Sequence, residues 1–153
     1  MKCDIAVSGI SALIDSFERA GGEAACTRMK ENAARKLADR AREEMKKHVP
    51  VSANNRRSGT RQNRPRHGHA RDNIPATVRT RDGETYADIG WRLTDNSEYF
   101  YMKYVEWGTH GMHPQPAKRF LEKTFEALGD IPGEIIKNEV VLSLREAGIE
   151  TED

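Results

Sequence analysis

Histidines and one glutamate are the residues of this chain whose types and spacing could support chemistry. His67 and His69 are two residues apart, and His110 and His113 are three apart. Together with Glu106, these side chains are candidate metal ligands of a metal-dependent nuclease. A zinc site, however, needs three or four ligands on a rigid frame, usually with cysteine or a helical HExxH pattern. One pair lies in an arginine-rich segment and the other flanks a glycine, so we expect no metal and no cofactor.

Glu106 stands between Val105 and Trp107, which indicates partial burial. A carboxyl group in an apolar site can act as a general acid or base, but such catalysis normally uses a second group, and no paired acid stands at a recognisable spacing. The sequence also lacks a nucleophile elbow, a phosphate-binding glycine loop and a dinucleotide fingerprint. We therefore predict that the chain is not an enzyme. Glu106 is interpreted as structural, its carboxylate accepting hydrogen bonds from the amides of residues 108–110 or from an arginine.

Length and composition limit the class of protein. The 153 residues are 37% apolar and 32% charged, with a mean hydropathy of −0.79, and predict one domain with a modest core. No apolar run approaches the roughly 20 residues that a bilayer crossing needs, and Asp4 and Asp15 interrupt the start, so we expect no membrane partner and a cytosolic location at synthesis. Cys3 and Cys26 lack CxxC spacing and are interpreted as free thiols.

The net charge of +1 hides an uneven distribution. Eight arginines lie between positions 56 and 81 against only Asp72, whereas residues 134–153 carry six acids against two bases. Such a chain can associate head to tail with copies of itself. Clustered arginines also neutralise nucleic-acid phosphates, so a sequence-nonspecific nucleic-acid-binding accessory protein is an alternative. The predicted partner or DNA contacts are Arg56, Arg57, Arg61, Arg64, Arg66 and Arg71.

Helical periodicity dominates the first third of the chain. Residues 8–48 are predicted to form a long helical arm. Its second half, from Met29 to Met45, carries apolar residues at helical spacing. Gly21 and Gly22 predict a kink or a joint between two helices, and Pro50 predicts the end of the arm. Residues 51–73 contain almost nothing to bury and predict a mobile basic loop.

The remaining elements predict an α+β fold. Residues 74–93 alternate like a hairpin around Asp82 and Gly83. Residues 98–107 fit either a third strand or a short helix, because periodicity cannot decide at that length. Within the motif region 98–128 a helix is expected to start near Pro116, and a C-terminal helix spans 131–147 after a break at 129–133. We predict a small antiparallel sheet packed against helices, with a long N-terminal arm and a kinked C-terminal helix.

One stretch, YMKYVEWGTHGMHPQPAKRFLEKTF at 101–125, resembles the small tail-completion or head-tail joining proteins of long-tailed bacteriophages and prophages, of the type encoded as gene product ten of a lambdoid siphophage. The matching residues are Tyr101, Tyr104, Val105, Glu106, Trp107, Gly108, Thr109, Met112, Pro114, Gln115, Pro116, Phe120 and Leu121. The chain departs from the family pattern at GHARDNI, and residues 56–66 look like an insertion.

The resemblance implies a structural virion protein of the neck or tail. Such proteins look like ring-forming subunits, often taken as hexamers, that bridge the tail to the head connector. The implied partners are other copies, neighbouring neck and tail proteins, and DNA in the channel. In this interpretation the motif is a joint. Glu106 and Gly108 set a turn, and Pro114 and Pro116 aim a helix. The residues expected to pack that helix onto the hairpin are Val105, Trp107, Met112, Phe120, Leu121 and Phe125.

Overall fold

A computed structural model describes residues 14–15, 18, 21–51 and 68–147. In chain order the elements are α1 (Glu23–His48), a 3-10 helix (Ala70–Asn73), β1 (Ala76–Arg81), β2 (Glu84–Ile89), α2 (Met102–Trp107), α3 (Phe120–Leu128) and α4 (Ile131–Glu146). Within these described ranges, four α-helices accompany one two-stranded sheet. The predicted α+β class with a long N-terminal helix is therefore confirmed.

The chain divides into two compact units, one drawn from 1–38, 77–87 and 129–153, the other from 39–76 and 88–128. In the first unit, α1 packs on α4. Its buried cluster consists of Cys26, Met29, Val140 and Leu144. Cys26 is a free, buried thiol, and burial is the main cause that raises its pKa.

The second unit has its own core. Its buried cluster consists of Met45, Val49, Ala70, Ile74, Met102 and Phe120. Trp91 packs on this cluster, with its ring edge-on to Phe120 at 6.1 Å between centroids, a favoured aromatic geometry. This core supports the motif region, because Met102 belongs to α2 and Phe120 to α3.

Helix α1 follows the predicted apolar stripe. Met29, Ala33, Ala41 and Met45 are buried, and charged residues occupy the other side. The predicted joint is also present, because Gly22 has φ +79° immediately after residues in helical conformation. The helix ends at His48, two residues before the proline that was expected to end it.

The hairpin is shorter than the predicted range of 74–93, but its register agrees with the sequence pattern. Asp82 and Gly83 both have positive φ, +54° and +77°, as a two-residue type I′ turn requires. The Gly90 amide donates to the Pro75 carbonyl at 2.9 Å, which extends the same register beyond β1 and β2. The face that carries Thr85, Ala87 and Ile89 is half-buried and the opposite face of β2 is exposed, as the alternation predicts.

The structure decides between the two alternatives for residues 98–107. They form turns and helix α2, not a third strand, because six helical residues bury Met102 and Glu106 on one side. The next helix begins at Phe120, so the prediction that it starts near Pro116 was wrong. Arg119, with φ +47°, interrupts helical geometry directly before it. The predicted kinked C-terminal helix is two helices, separated at Gly129 and Asp130.

Part of the expected basic loop is structured. Residues 51–73 were predicted to contain almost nothing to bury. Near the end of this segment the prediction was wrong, because Ala70 is buried in the core of the second unit. The Asn73 amide donates to the His69 carbonyl and closes this turn at 3.0 Å. Positions 52–67 of the predicted loop lie outside the described residues.

The α1–α4 packing predicts different costs for two truncations on α4. Val140→Ala should lower the free energy of unfolding by about 2 kcal/mol, because it removes buried methyl groups and leaves a cavity. Leu142→Ala, at a position 47% exposed, should change it by less than about 0.5 kcal/mol. Urea unfolding of both variants measures the contrast, and equal losses would contradict the assigned packing.

Candidate functional site

Helix α2 has a buried side and an exposed aromatic side. Met102 and Glu106, four residues apart, face inward. The exposed side of α2 and the turn before it carry a set of residues that we call the aromatic face, with members that recur at helical spacing. They are Phe100, Tyr101, Tyr104 and Trp107, each between 40% and 52% exposed. An exposed aromatic cluster of this kind is unusual on the surface of an isolated subunit.

Glu106 fixes α2 to the start of α3. Its side chain is buried, with the residue 3% exposed, and its Oε2 accepts a hydrogen bond from the Leu121 amide at 3.1 Å. The first amides of a helix lack partners within it, and a carboxylate there also interacts favourably with the helix dipole. The Arg119 amide donates to the Glu106 carbonyl at 3.2 Å, so both the backbone and the side chain of this residue are used.

The predicted partners of the Glu106 carboxylate were wrong. The amides of residues 108–110 or an arginine were expected, but the carboxylate accepts from the Leu121 amide, and the Thr109 amide donates to the Gln115 carbonyl at 3.0 Å. The chain leaves α2, forms a short antiparallel bridge and returns, which brings the start of α3 under Glu106. Spacing along the sequence could not show this return.

The bridge closes residues 110–114 into a small loop. The Gln115 amide donates to the Thr109 carbonyl at 3.3 Å and to the Thr109 hydroxyl at 3.0 Å. The Thr109 hydroxyl donates to the His113 carbonyl at 3.4 Å. After the bridge, the Lys118 amide donates to the Val105 carbonyl at 3.0 Å. The segment from Gln115 to Arg119, which we call the returning strand, is thereby attached to α2 and to Thr109 by several hydrogen bonds.

Gly108 is the position where the two passes of the chain come closest. A Cβ atom built there would lie 2.6 Å from the Gln115 carbonyl oxygen and 2.8 Å from the Ala117 nitrogen. Gly108 also has φ +77°, which favours glycine. No side chain fits without movement of the backbone, so the predicted role of Gly108 in setting the turn has a physical reason.

The packing predicted for Trp107 and Met112 was wrong. Trp107 is 52% exposed and Met112 is 95% exposed, because Trp107 belongs to the outer side of α2 and Met112 lies in the loop closed by the bridge. Phe120 is buried and Leu121 packs against the same core, as expected. Pro114 and Pro116 are exposed on the segment that leads into α3.

Positive charge borders the aromatic face. Lys103 places its Nζ 5.4 Å from the centre of the Tyr104 ring and donates a hydrogen bond to the Leu93 carbonyl at 3.2 Å. Lys118 is exposed on the returning strand, one hydrogen bond away from α2. Desolvation raises the pKa of the Tyr101 hydroxyl above its ordinary value.

Phe100 and Lys103 were missed as site residues in the sequence. The signal that could have found Phe100 is its spacing of four and seven residues from Tyr104 and Trp107, which places all three on one side of a helix. That signal was ambiguous while residues 98–107 were interpreted as either strand or helix. Lys103 has no signal of its own in a single sequence.

The other predicted residues are not brought together. His110 and His113 are exposed on the loop after α2, and His67 lies outside the described residues. Among the residues that the structure describes, no group of three or more His, Cys, Asp or Glu side chains could hold a metal ion. Arg71 pairs with Asp72 at 3.4 Å, and the other five predicted contact arginines lie outside the described residues.

None of the helices in the described part of the chain combines the length and the apolar character that would let it span a membrane.

The described residues form an α+β scaffold that holds exposed aromatic side chains at α2 and in the turn before it. Residues 11–108, well over half of the chain, match the model of the HK97-gp10-like family, described as "Bacteriophage HK97-gp10, putative tail-component". The chain belongs to this family of phage tail components. The match ends at Gly108, so it includes α2 but not the bridge or α3. Searches of curated proteins and of solved structures find no match.

The close approach at Gly108 predicts an asymmetric cost for two glycine substitutions. Gly108→Ala should destabilise the protein by more than about 2 kcal/mol, because a clash adds to the backbone strain. Gly83→Ala is a matched control, since Gly83 has the same φ of +77° and no atom within 4 Å of a built Cβ. Its cost should be limited to about 1–2 kcal/mol of strain. Denaturant unfolding that ranks Gly83→Ala as the worse substitution would contradict the geometry.

The hydrogen bond of Glu106 predicts a graded loss. Glu106→Ala should lower stability by about 1–3 kcal/mol, because it leaves the partly buried Leu121 amide without a partner. Glu106→Gln should lose less, since its amide oxygen can still accept. Hydrogen exchange at the Leu121 amide gives a local readout, and exchange should accelerate more in the alanine variant than in the glutamine variant. Unchanged exchange in both variants would show that the carboxylate does not hold this amide.

Proposed function

We propose that the chain is a tail-completion or head-tail joining subunit that assembles into a ring at the neck of a tailed phage or prophage virion. The ring is expected to be a hexamer in the virion, and the free subunit can be a monomer. Membership of the tail-component family supports the structural part of this proposal. The ring, the neck location and the joining role are the steps beyond it.

The observation that carries the proposal is the aromatic face. Tyr104 and Trp107 are half-exposed on α2, which Glu106 and the bridge hold in place, and Phe100 and Tyr101 are half-exposed in the turn directly before it. Tyrosine and tryptophan are enriched at protein interfaces, and a few such residues often supply most of the binding energy. A face that is fixed before binding also loses less conformational entropy on association. These properties favour a surface that is covered by another protein in the assembled particle.

The basic segment has a place in this proposal through its sequence. The arginines between positions 56 and 66 supply charge that would contact DNA in the channel or an acidic surface of a neighbouring protein. A nucleic-acid-binding accessory protein would use the same charge. The aromatic face favours the neck subunit, because a role limited to DNA gives no reason to fix aromatic residues on a separate helix.

Substitution of the aromatic face should separate folding from assembly. Tyr104→Ser with Trp107→Ser removes two exposed rings, so the free energy of unfolding should change little. Loss of even one interface residue worth about 2 kcal/mol weakens a contact roughly 30-fold. A phage that lacks its own copy of the gene, complemented with this variant, should therefore yield unjoined heads and tails in electron micrographs.

Tyr86→Ser is the matched control, because Tyr86 is an exposed tyrosine on the hairpin and outside the aromatic face. It should yield joined, infectious particles. Normal particle yield from the Tyr104 and Trp107 double variant would reject the aromatic face as an assembly surface.

A further inference from the structure

We propose that the aromatic face of one copy docks on an exposed face of α4 of the next copy. This second surface, which we call the leucine face, consists of Glu134, Asn138, Leu142 and Glu146. The residues follow one another every four positions along α4, so they lie on one side of the helix. The inference rests on the proposed ring assembly and names the two surfaces that would form it.

Both faces expose apolar side chains that could pack against each other. Leu142 is 47% exposed on a helix whose opposite side is buried against α1. On the other partner, Tyr104 and Trp107 expose large ring surfaces around which a single aliphatic side chain can pack. A single exposed leucine is common on protein surfaces. Here, however, the leucine shares its face with carboxylates, so it complements aromatic rings that have lysines beside them in both apolar contact and charge.

The charged parts of the two faces are opposite in sign. Lys103 lies at the Tyr104 ring and Lys118 lies beside α2, whereas Glu134 and Glu146 lie at the two ends of the leucine face. None of these four side chains forms an ion pair with another described residue. By contrast, exposed acids on α1 are paired within the chain, such as Asp39 with Arg42 and Glu43 with Lys46. The two faces therefore carry charges of opposite sign that have no ion-pair partner within the described chain.

The negative charge of the leucine face extends along its part of the chain. The described residues 126–147, which include α4, hold five acids against two bases, a net charge of −3. Lys103 and Lys118 at the aromatic face have the opposite sign. Complementary charges of this kind steer association and suppress contacts between like faces. They favour pairing of the aromatic face with α4 of another copy.

Contact between two different faces has a geometric consequence. An interface between unlike surfaces repeats from copy to copy, and it closes into a ring when the rotation allows. An interface between like surfaces would stop at a dimer. The proposed pairing therefore gives each copy one surface of each kind, as a ring requires.

Cross-linking tests the contact directly. In a Cys3→Ser background, a Tyr104→Cys protein is mixed at high concentration with a Leu142→Cys protein and oxidised. A disulfide-linked heterodimer is expected. Cys26 should not compete, because it is buried and its thiol pKa is raised. Arg28→Cys in place of Leu142→Cys is the control at an exposed position on α1. A yield of heterodimer no higher than in this control overturns the proposal.

Charge reversal tests the same contact in assembly. Lys103→Glu with Lys118→Glu, or Glu134→Lys with Glu146→Lys, should each abolish head-tail joining, because like charges then meet at every interface. All four substitutions in one chain, or the two variants mixed, should restore joining. Arg28→Glu with Arg40→Glu is the matched control on α1 and should assemble normally. Absence of rescue overturns the proposed pairing.

The remaining outcomes separate this inference from the proposed function. Normal joining by both reversed variants overturns the pairing and leaves the neck role intact. If the lysine variant loses binding to duplex DNA while rings still form, the lysines contact nucleic acid and the pairing is wrong. Failure of the proposed function has a different signature, since the wild-type chain would then be absent from purified virions.

Discussion

The hydrogen bond between the Glu106 carboxylate and the Leu121 amide is the constraint on which the motif region depends. It joins the inner side of α2 to the first turn of α3, in a buried position where an unpaired amide or carboxylate would be costly. The bridge between Thr109 and Gln115 and the missing side chain at Gly108 let the chain return far enough for that contact. The outer side of α2 is fixed as a consequence, although its aromatic residues contribute little to the core.

The interpretation of Glu106 as a structural residue illustrates how far a sequence leads. Its position between a valine and a tryptophan indicated burial, which the structure confirms at 3% exposure. The identity of its partner required knowledge of where the chain returns, and that depends on tertiary packing. The same limit explains Trp107, since an aromatic residue beside a buried glutamate is expected inside. On a short helix, however, the residue that follows an inward one points elsewhere, and here it is exposed.

Elements with strong periodicity or clear breaking residues were predicted well. The stripe on α1, the joint at Gly22 and the alternation of the hairpin all follow from local rules for helices, glycines and strands. Elements defined by contacts at a distance were not. The start of α3 depends on the positive φ of Arg119 and on the hydrogen bond from the Arg119 amide to the Glu106 carbonyl. The preference of proline for the first turn of a helix, which predicted a start near Pro116, takes neither into account. Ala70 is buried for a similar reason, because its neighbours in space come from other elements.

In the proposed ring assembly, an aromatic face that is already fixed would suit a subunit that stays dispersed until it meets its partner. Exposed rings give a contact much of its free energy, yet the same rings would promote association with any apolar surface. The lysines beside them limit this risk, since they repel a like face and select an acidic one. Charge alone would give only a weak, salt-dependent contact, because exposed ion pairs contribute little. In the proposed contact, the fixed rings would supply affinity and the bordering charge would supply selectivity, and the hydrogen bond of Glu106 to the Leu121 amide keeps both in one geometry.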